Sequence, residues 1–103
     1  MEITRMNETQ KPNFTGIVAN FSSALISNDG IPYFEFALTL PPPPSPPEPP
    51  GVKVLYVNLR KDYSQAIVSV VISAWASREQ IDVYLDNSIP EPDRVRRARL
   101  TPK

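Results

Sequence analysis

Two pairs of carboxylates have the type and spacing for acid–base or divalent-metal chemistry: Asp82 with Asp86, and Glu91 with Asp93. Asp82 and Asp86 fall on the polar side of the alternating run Ile81 to Asp86, so they are expected to face solvent. Glu91 and Asp93 sit around Pro90 and Pro92, in a stretch that reads as solvated surface. The chain has no His and no Cys, which removes the commonest general base, the commonest metal ligand and any thiolate or disulfide. No nucleophile stands beside a base, and there is no phosphate-binding glycine loop or metal-ligand cluster. The expectation is a protein that is not an enzyme, with no catalytic residue, metal site or cofactor. Tyr33, Tyr56, Tyr84 and Trp75 could offer a stacking platform for single-stranded nucleic acid. No basic stripe interleaves with them, and the arginines gather at the far end, so core or interface packing is the expected role. Eleven acidic residues balance eleven basic ones, which also argues against a chain whose task is to grip nucleic acid.

The elements that must position these groups are mostly β. Phe14 to Ile26 reads as a first strand, with a bulge at Ser22-Ser23 and with Ile17, Ala19 and Phe21 on one face. Asn28-Asp29-Gly30 is a turn, because these residues tolerate positive φ. Pro32 to Leu40 is a second strand. Phe34, Phe36, Leu38 and Leu40 form its core face; Tyr33, Glu35, Ala37 and Thr39 form its wet one. Pro41 to Pro50 holds only Ser45 and Glu48 besides proline and is expected in polyproline II, roughly 30 Å long when extended. It reads as a stiff connection, or as a ligand for a proline-reading protein partner. Val52 to Val57 is a third strand. Asp62-Tyr63-Ser64-Gln65 has capping-box form, and Tyr63, Ala66, Ile67, Val70, Val71, Ala74 and Trp75 follow at helical spacing. The β-branched residues favour a strand, but periodicity and cap agree on a helix over 62–78. Ile81, Val83 and Leu85 alternate with polar partners in a fourth strand. The segment 88–103, with five of the eleven basic residues, is either a fifth, edge strand or a basic tail.

At 103 residues this is one small domain. Residues 1–13 are expected to be flexible, residues 14–87 to form the domain, and residues 41–50 to be a proline-rich loop within it. About 75 residues then remain to build a core, which is marginal for a solitary fold and raises the expectation of a homo-oligomer. The helix is apolar nearly all round, since Val68 and Ile72 lie on its second side. Val68, Ile72 and Trp75 are therefore expected at a subunit interface. No apolar run reaches the length of a membrane span, and the start of the chain has no signal-peptide h-region.

Five strands with one helix between strands three and four outline an OB-fold-like barrel. Within it, Phe14-Thr15-Gly16-Ile17-Val18, Pro32-Tyr33-Phe34, Tyr63-Ser64-Gln65-Ala66 and Ile81-Asp82-Val83-Tyr84 resemble the B subunits of AB5 toxins, in the subtilase-cytotoxin and pertussis-like branch. The resemblance covers residues 13 to 87. It implies a bacterial, secreted, ring-forming subunit, usually pentameric, that binds glycans and has no enzymatic activity. It places the sugar beside Phe14 and Thr15, with the Thr15 hydroxyl bonding the sugar and the Phe14 ring offering its face. On that reading Thr15→Val changes stability little. Leu85 stands where the family carries an aromatic on strand four. The alternative functions are an OB-fold binder of single-stranded nucleic acid and an oligomeric scaffold with no small ligand.

Overall fold

The computed structural model describes residues 11–41 and 51–102. Of the segment 1–13 expected to be flexible, residues 1–10 lie outside the described residues, and so do residues 42–50 of the stretch 41–50 expected in polyproline II. The elements in chain order are β1 (Phe14–Ile26), β2 (Pro32–Thr39), β3 (Val52–Asn58), α1 (Ser64–Ser77), β4 (Gln80–Leu85) and β5 (Val95–Leu100). The strands form one sheet in the order β3-β2-β1-β4-β5, every neighbouring pair antiparallel. The segment with two readings is thus an edge strand, paired along β4. Its three arginines suit an edge, where charge opposes pairing with another chain. The two ends of the sheet approach at one point, a parallel bridge between Tyr56 and Arg94, where the Tyr56 N–H donates to the Asp93 carbonyl at 2.9 Å. The sheet is not closed into a barrel.

The β1–β2 hairpin turns where Asn28-Asp29-Gly30 marks it. The Gly30 N–H donates to the Ser27 carbonyl at 2.9 Å, and Gly30 alone of the three has a positive φ, 81°. On β2 the expected core face holds, with Phe34, Phe36 and Leu38 buried. Tyr33 and Ala37 on the other face are buried too, so that face is drier than alternation suggests.

β1 corrects the sequence expectation. Ile17 and Ala19 are exposed, while Val18 is buried and Phe21 packs against the core. The register shifts between Val18 and Asn20, so an extra residue at Ala19 flips the parity of the strand. Phe14, Gly16 and Val18 face inward before the bulge, opposite Val83, Ile81 and Leu38; Phe21 faces inward after it, opposite Phe36. A second irregularity, between Ser22 and Leu25, is where the serine pair suggested one. Before the first bulge, the position of Gly16 requires glycine, because a Cβ would lie 2.5 Å from the Thr39 carbonyl oxygen.

α1 buries Ser64, Ile67, Val71 and Ala74, a stripe at helical spacing against the open side of the sheet. Its start differs from the capping box. Tyr63 is the N-cap and makes no side-chain cap bond. Two turns lead into the helix instead: Asn58 Oδ1 accepts from the Arg60 N–H at 2.9 Å, and the Ser64 N–H donates to the Lys61 carbonyl at 3.1 Å. Arg78 ends the helix in the left-handed region at φ 59°. Among the described residues no helix is long and apolar enough to cross a membrane.

Candidate functional site

The antiparallel registers place one side-chain set on the outer face of β1, β4 and β5. Partners directly opposite share a face, and successive rows on that face lie two residues apart, roughly 7 Å. One row joins Thr15, Asp82 and Arg99. The next row toward the end of α1 joins Ile17 and Gln80, followed by Thr101, whose N–H donates to the Gln80 carbonyl at 2.9 Å. On the other side, Tyr84 faces Arg97.

Asp82 is the centre of this surface. It is 4% exposed, not solvated as strand alternation suggests, and it is the buried carboxylate among the described residues. A buried carboxylate is tolerated only when its lone pairs are filled. Thr15 Oγ1 donates to Oδ1 at 3.0 Å, Thr101 Oγ1 donates to Oδ1 at 2.8 Å, and Arg99 Nε donates to Oδ2 at 3.4 Å. The donors lie 67, 19 and 17 residues away in sequence. Beside this cluster opens a cleft of about 360 Å³ lined by Ile17, Arg78, Glu79, Gln80, Thr101 and Pro102. It offers an apolar floor at half-exposed Ile17 and polar groups at its rim.

Phe14 and Thr15 are not brought together. Consecutive strand residues point to opposite faces, and Phe14 packs against the core with Lys53 Nζ at 5.4 Å from its ring centre. Ile17, two residues on, is the apolar neighbour Thr15 has on its own face. Thr15 is half-buried, and its hydroxyl proton is committed to Asp82, although its lone pairs remain acceptors.

The arginines, distant from the tyrosines in sequence, cover them in space. The Arg94 guanidinium lies between Tyr33 and Tyr56, at 4.5 and 4.9 Å from the ring centres. Arg97 and Arg99 stand over Tyr84 at 4.9 and 5.8 Å. Tyr84 is fully buried and Tyr33 nearly so, and neither ring face is open to a base. The signal for the pairing on Tyr84 was the two-residue spacing of Arg97 and Arg99, legible only once β5 is known to be a strand.

On α1, Val68 is half-buried and packs against the core. Ile72 and Trp75 are exposed, 41% and 46%. The Trp75 ring meets Phe21 edge-on at 5.2 Å, so one side of the indole is fixed by the fold. The second carboxylate pair does not assemble either. Asp93 pairs with Lys53 at 2.9 Å, and Glu91 is exposed. Asp86 accepts from the hydroxyl and the N–H of Ser88 at 2.5 and 3.0 Å, the hydroxyl bond first among the causes that hold its pKa below the usual value. Among the described residues no group of three or more acidic side chains could hold a metal ion.

Comparison with family models, with curated proteins and with solved structures found no match for this chain.

Proposed function

We propose that this chain is a non-enzymatic, self-associating β domain of OB-like architecture that binds a polyhydroxylated, sugar-type ligand on the outer face of β1, β4 and β5. The observation that carries the reading is the cleft beside the Asp82 cluster. An exposed aliphatic side chain, Ile17, lies next to Gln80, Glu79, Arg78 and Thr101, which mix donors and acceptors at close spacing. A sugar presents the same mixture, with apolar C–H patches alternating with hydroxyls that both donate and accept. The Asp82 network holds Thr15 and Thr101 in fixed rotamers, so the hydroxyl acceptors are preorganised. The AB5-like reading places sugar contact at Thr15; the geometry favours Ile17 over Phe14 as its apolar companion.

Two further features support the assembly part of the reading. The Tyr56–Arg94 bridge brings β3 and β5 into the parallel neighbourhood that an OB-like barrel requires. Ile72 and Trp75 leave an apolar strip on α1 suited to a neighbouring subunit, a pentameric ring in the toxin-like case. The nucleic-acid alternative is disfavoured because Arg94, Arg97 and Arg99 cover the tyrosines it would use.

A glycan array on the purified protein, with its native mass, tests both parts. Binding to a set of sugars that falls about tenfold in Gln80→Ala, the loss of one hydrogen bond, is the expected result. A monomer that retains no sugar refutes the proposal.

A further inference from the structure

The outer face carries a second feature that the sugar cleft does not use. Tyr84 is fully buried, and its hydroxyl has no hydrogen-bond partner. Buried phenols almost always find one, so an orphan hydroxyl marks a place where a partner is missing. Two guanidiniums, those of Arg97 and Arg99, stand over the same ring. Arg99 gives its Nε to Asp82, which leaves its terminal nitrogens for other acceptors. Among the described residues no carboxylate or carbonyl accepts from Arg97. A phenol hydroxyl and two guanidiniums are thus gathered around one ring, with a single carboxylate nearby. That carboxylate is already engaged by three donors.

We propose that Tyr84, Arg97 and Arg99 form an oxyanion site for a tetrahedral group of the sulfate or phosphate kind. Each donor has a role. Guanidinium forks match the oxygen spacing of such an anion and can bind it bidentately. The phenol donates a third hydrogen bond from a position held by the sheet, because β4 is buried on both faces and paired with β1 on one edge and β5 on the other. Arg97 and Arg99 belong to half-buried side chains on an edge strand, so they can lift from the ring to enclose the anion while Tyr84 stays in place. An anion there also relieves the repulsion of two neighbouring cations. The site lies on the same face as the sugar cleft but shares none of its lining residues, and it stands whether or not a sugar binds.

The shared chemistry has two sources, a free inorganic anion or an ester on a larger ligand. The test uses the whole chain in a buffer free of sulfate and phosphate, titrated with sodium sulfate against sodium chloride at matched ionic strength. Thermal midpoints and isothermal titration are read for the parent, Arg97→Gln and Tyr84→Phe. Sulfate should raise the parent's midpoint above the chloride control and should bind about tenfold more weakly to Tyr84→Phe, the loss of one hydrogen bond. Arg97→Gln should lose more than that. Without sulfate, Tyr84→Phe should melt no lower than the parent, because its hydroxyl satisfies nothing there. A sulfated disaccharide binding at least tenfold tighter than sulfate assigns the ester as ligand; equal affinity assigns the free anion. Equal sulfate response in the parent and both variants overturns the site, and so does a lower midpoint of anion-free Tyr84→Phe. An unsulfated disaccharide that fails to bind while sulfate succeeds counts against the sugar cleft alone.

Discussion

Replacing Thr15 by valine keeps the β-branched shape and removes one hydroxyl, so its effect isolates the bond to Asp82. From sequence the change is nearly neutral. The structure makes it costly, because the hydroxyl donates at 3.0 Å to a carboxylate that is 4% exposed. A hydrogen bond to a charged group contributes about 1.5–3 kcal/mol. Asp82 retains Thr101 at 2.8 Å and Arg99 at 3.4 Å, so the lower end applies, about 1.5 kcal/mol. For a domain of this size that lowers the melting midpoint by roughly 6–12 °C. Urea unfolding followed by the fluorescence of the single tryptophan, Trp75, gives the same quantity independently. The decisive control is Asp82→Ala. In that background the Thr15 hydroxyl has lost its acceptor, and Thr15→Val should cost less than about 0.5 kcal/mol, leaving a coupling near 1 kcal/mol. If the cost is the same in both backgrounds, the bond does not stabilise the fold. If Thr15→Val melts with the parent, the whole account of the Asp82 cluster fails.

Other outcomes follow from single features. Gly16→Ala should destabilise by about 2 kcal/mol in chemical denaturation, since its Cβ would lie 2.5 Å from the Thr39 carbonyl oxygen and β1 and β2 would have to part; an unchanged midpoint would mean the strands can separate freely. Ile72→Glu with Trp75→Glu should dissociate any oligomer seen by light scattering, with the far-ultraviolet spectrum retained, because both side chains are exposed in the monomer. Val68 is left unchanged in that test, since it packs against the core and its replacement would also cost fold stability. Ser88→Ala should raise the Asp86 pKa toward the ordinary carboxylate value in an NMR titration, by removing the first of the causes that lower it. The sign follows from linkage. A depressed carboxyl pKa adds stability above the ordinary value of 3.8, lost as pH falls through the depressed one, so the variant should be less stable than the parent above that pH and match it in acid. An unmoved Asp86 would show that the Ser88 hydroxyl does not hold the carboxylate.

Several elements were legible in the sequence because they rest on local physics. The Asn28-Asp29-Gly30 turn, the inward Phe34, Phe36 and Leu38, and the helix despite its β-branched residues are settled by residues within a turn or two of each other. Edge or tail for residues 88–103 was not, because pairing with β4 depends on a partner strand that local pattern does not name. The capping box at Asp62 failed for a related reason: the chain leaving β3 needed two turns to reach the helix axis, and these used Asn58 and Lys61 instead.

Tertiary structure alone decided the rest. An extra residue at Ala19 reverses the parity of β1, and period-two reading carries no marker for one inserted residue. Asp82 looked solvated because its neighbours alternate with apolar residues, yet the edge strand and the residues after it bring Arg99 and Thr101 over it, and β1 brings Thr15. The arginines and tyrosines looked unrelated because they lie in separate segments, and strand pairing superimposes them. The sequence determined which residues would be apolar, turn-forming or helical. Which polar side chains would meet depended on non-local strand pairing, whose register is set by the packing of the whole sheet.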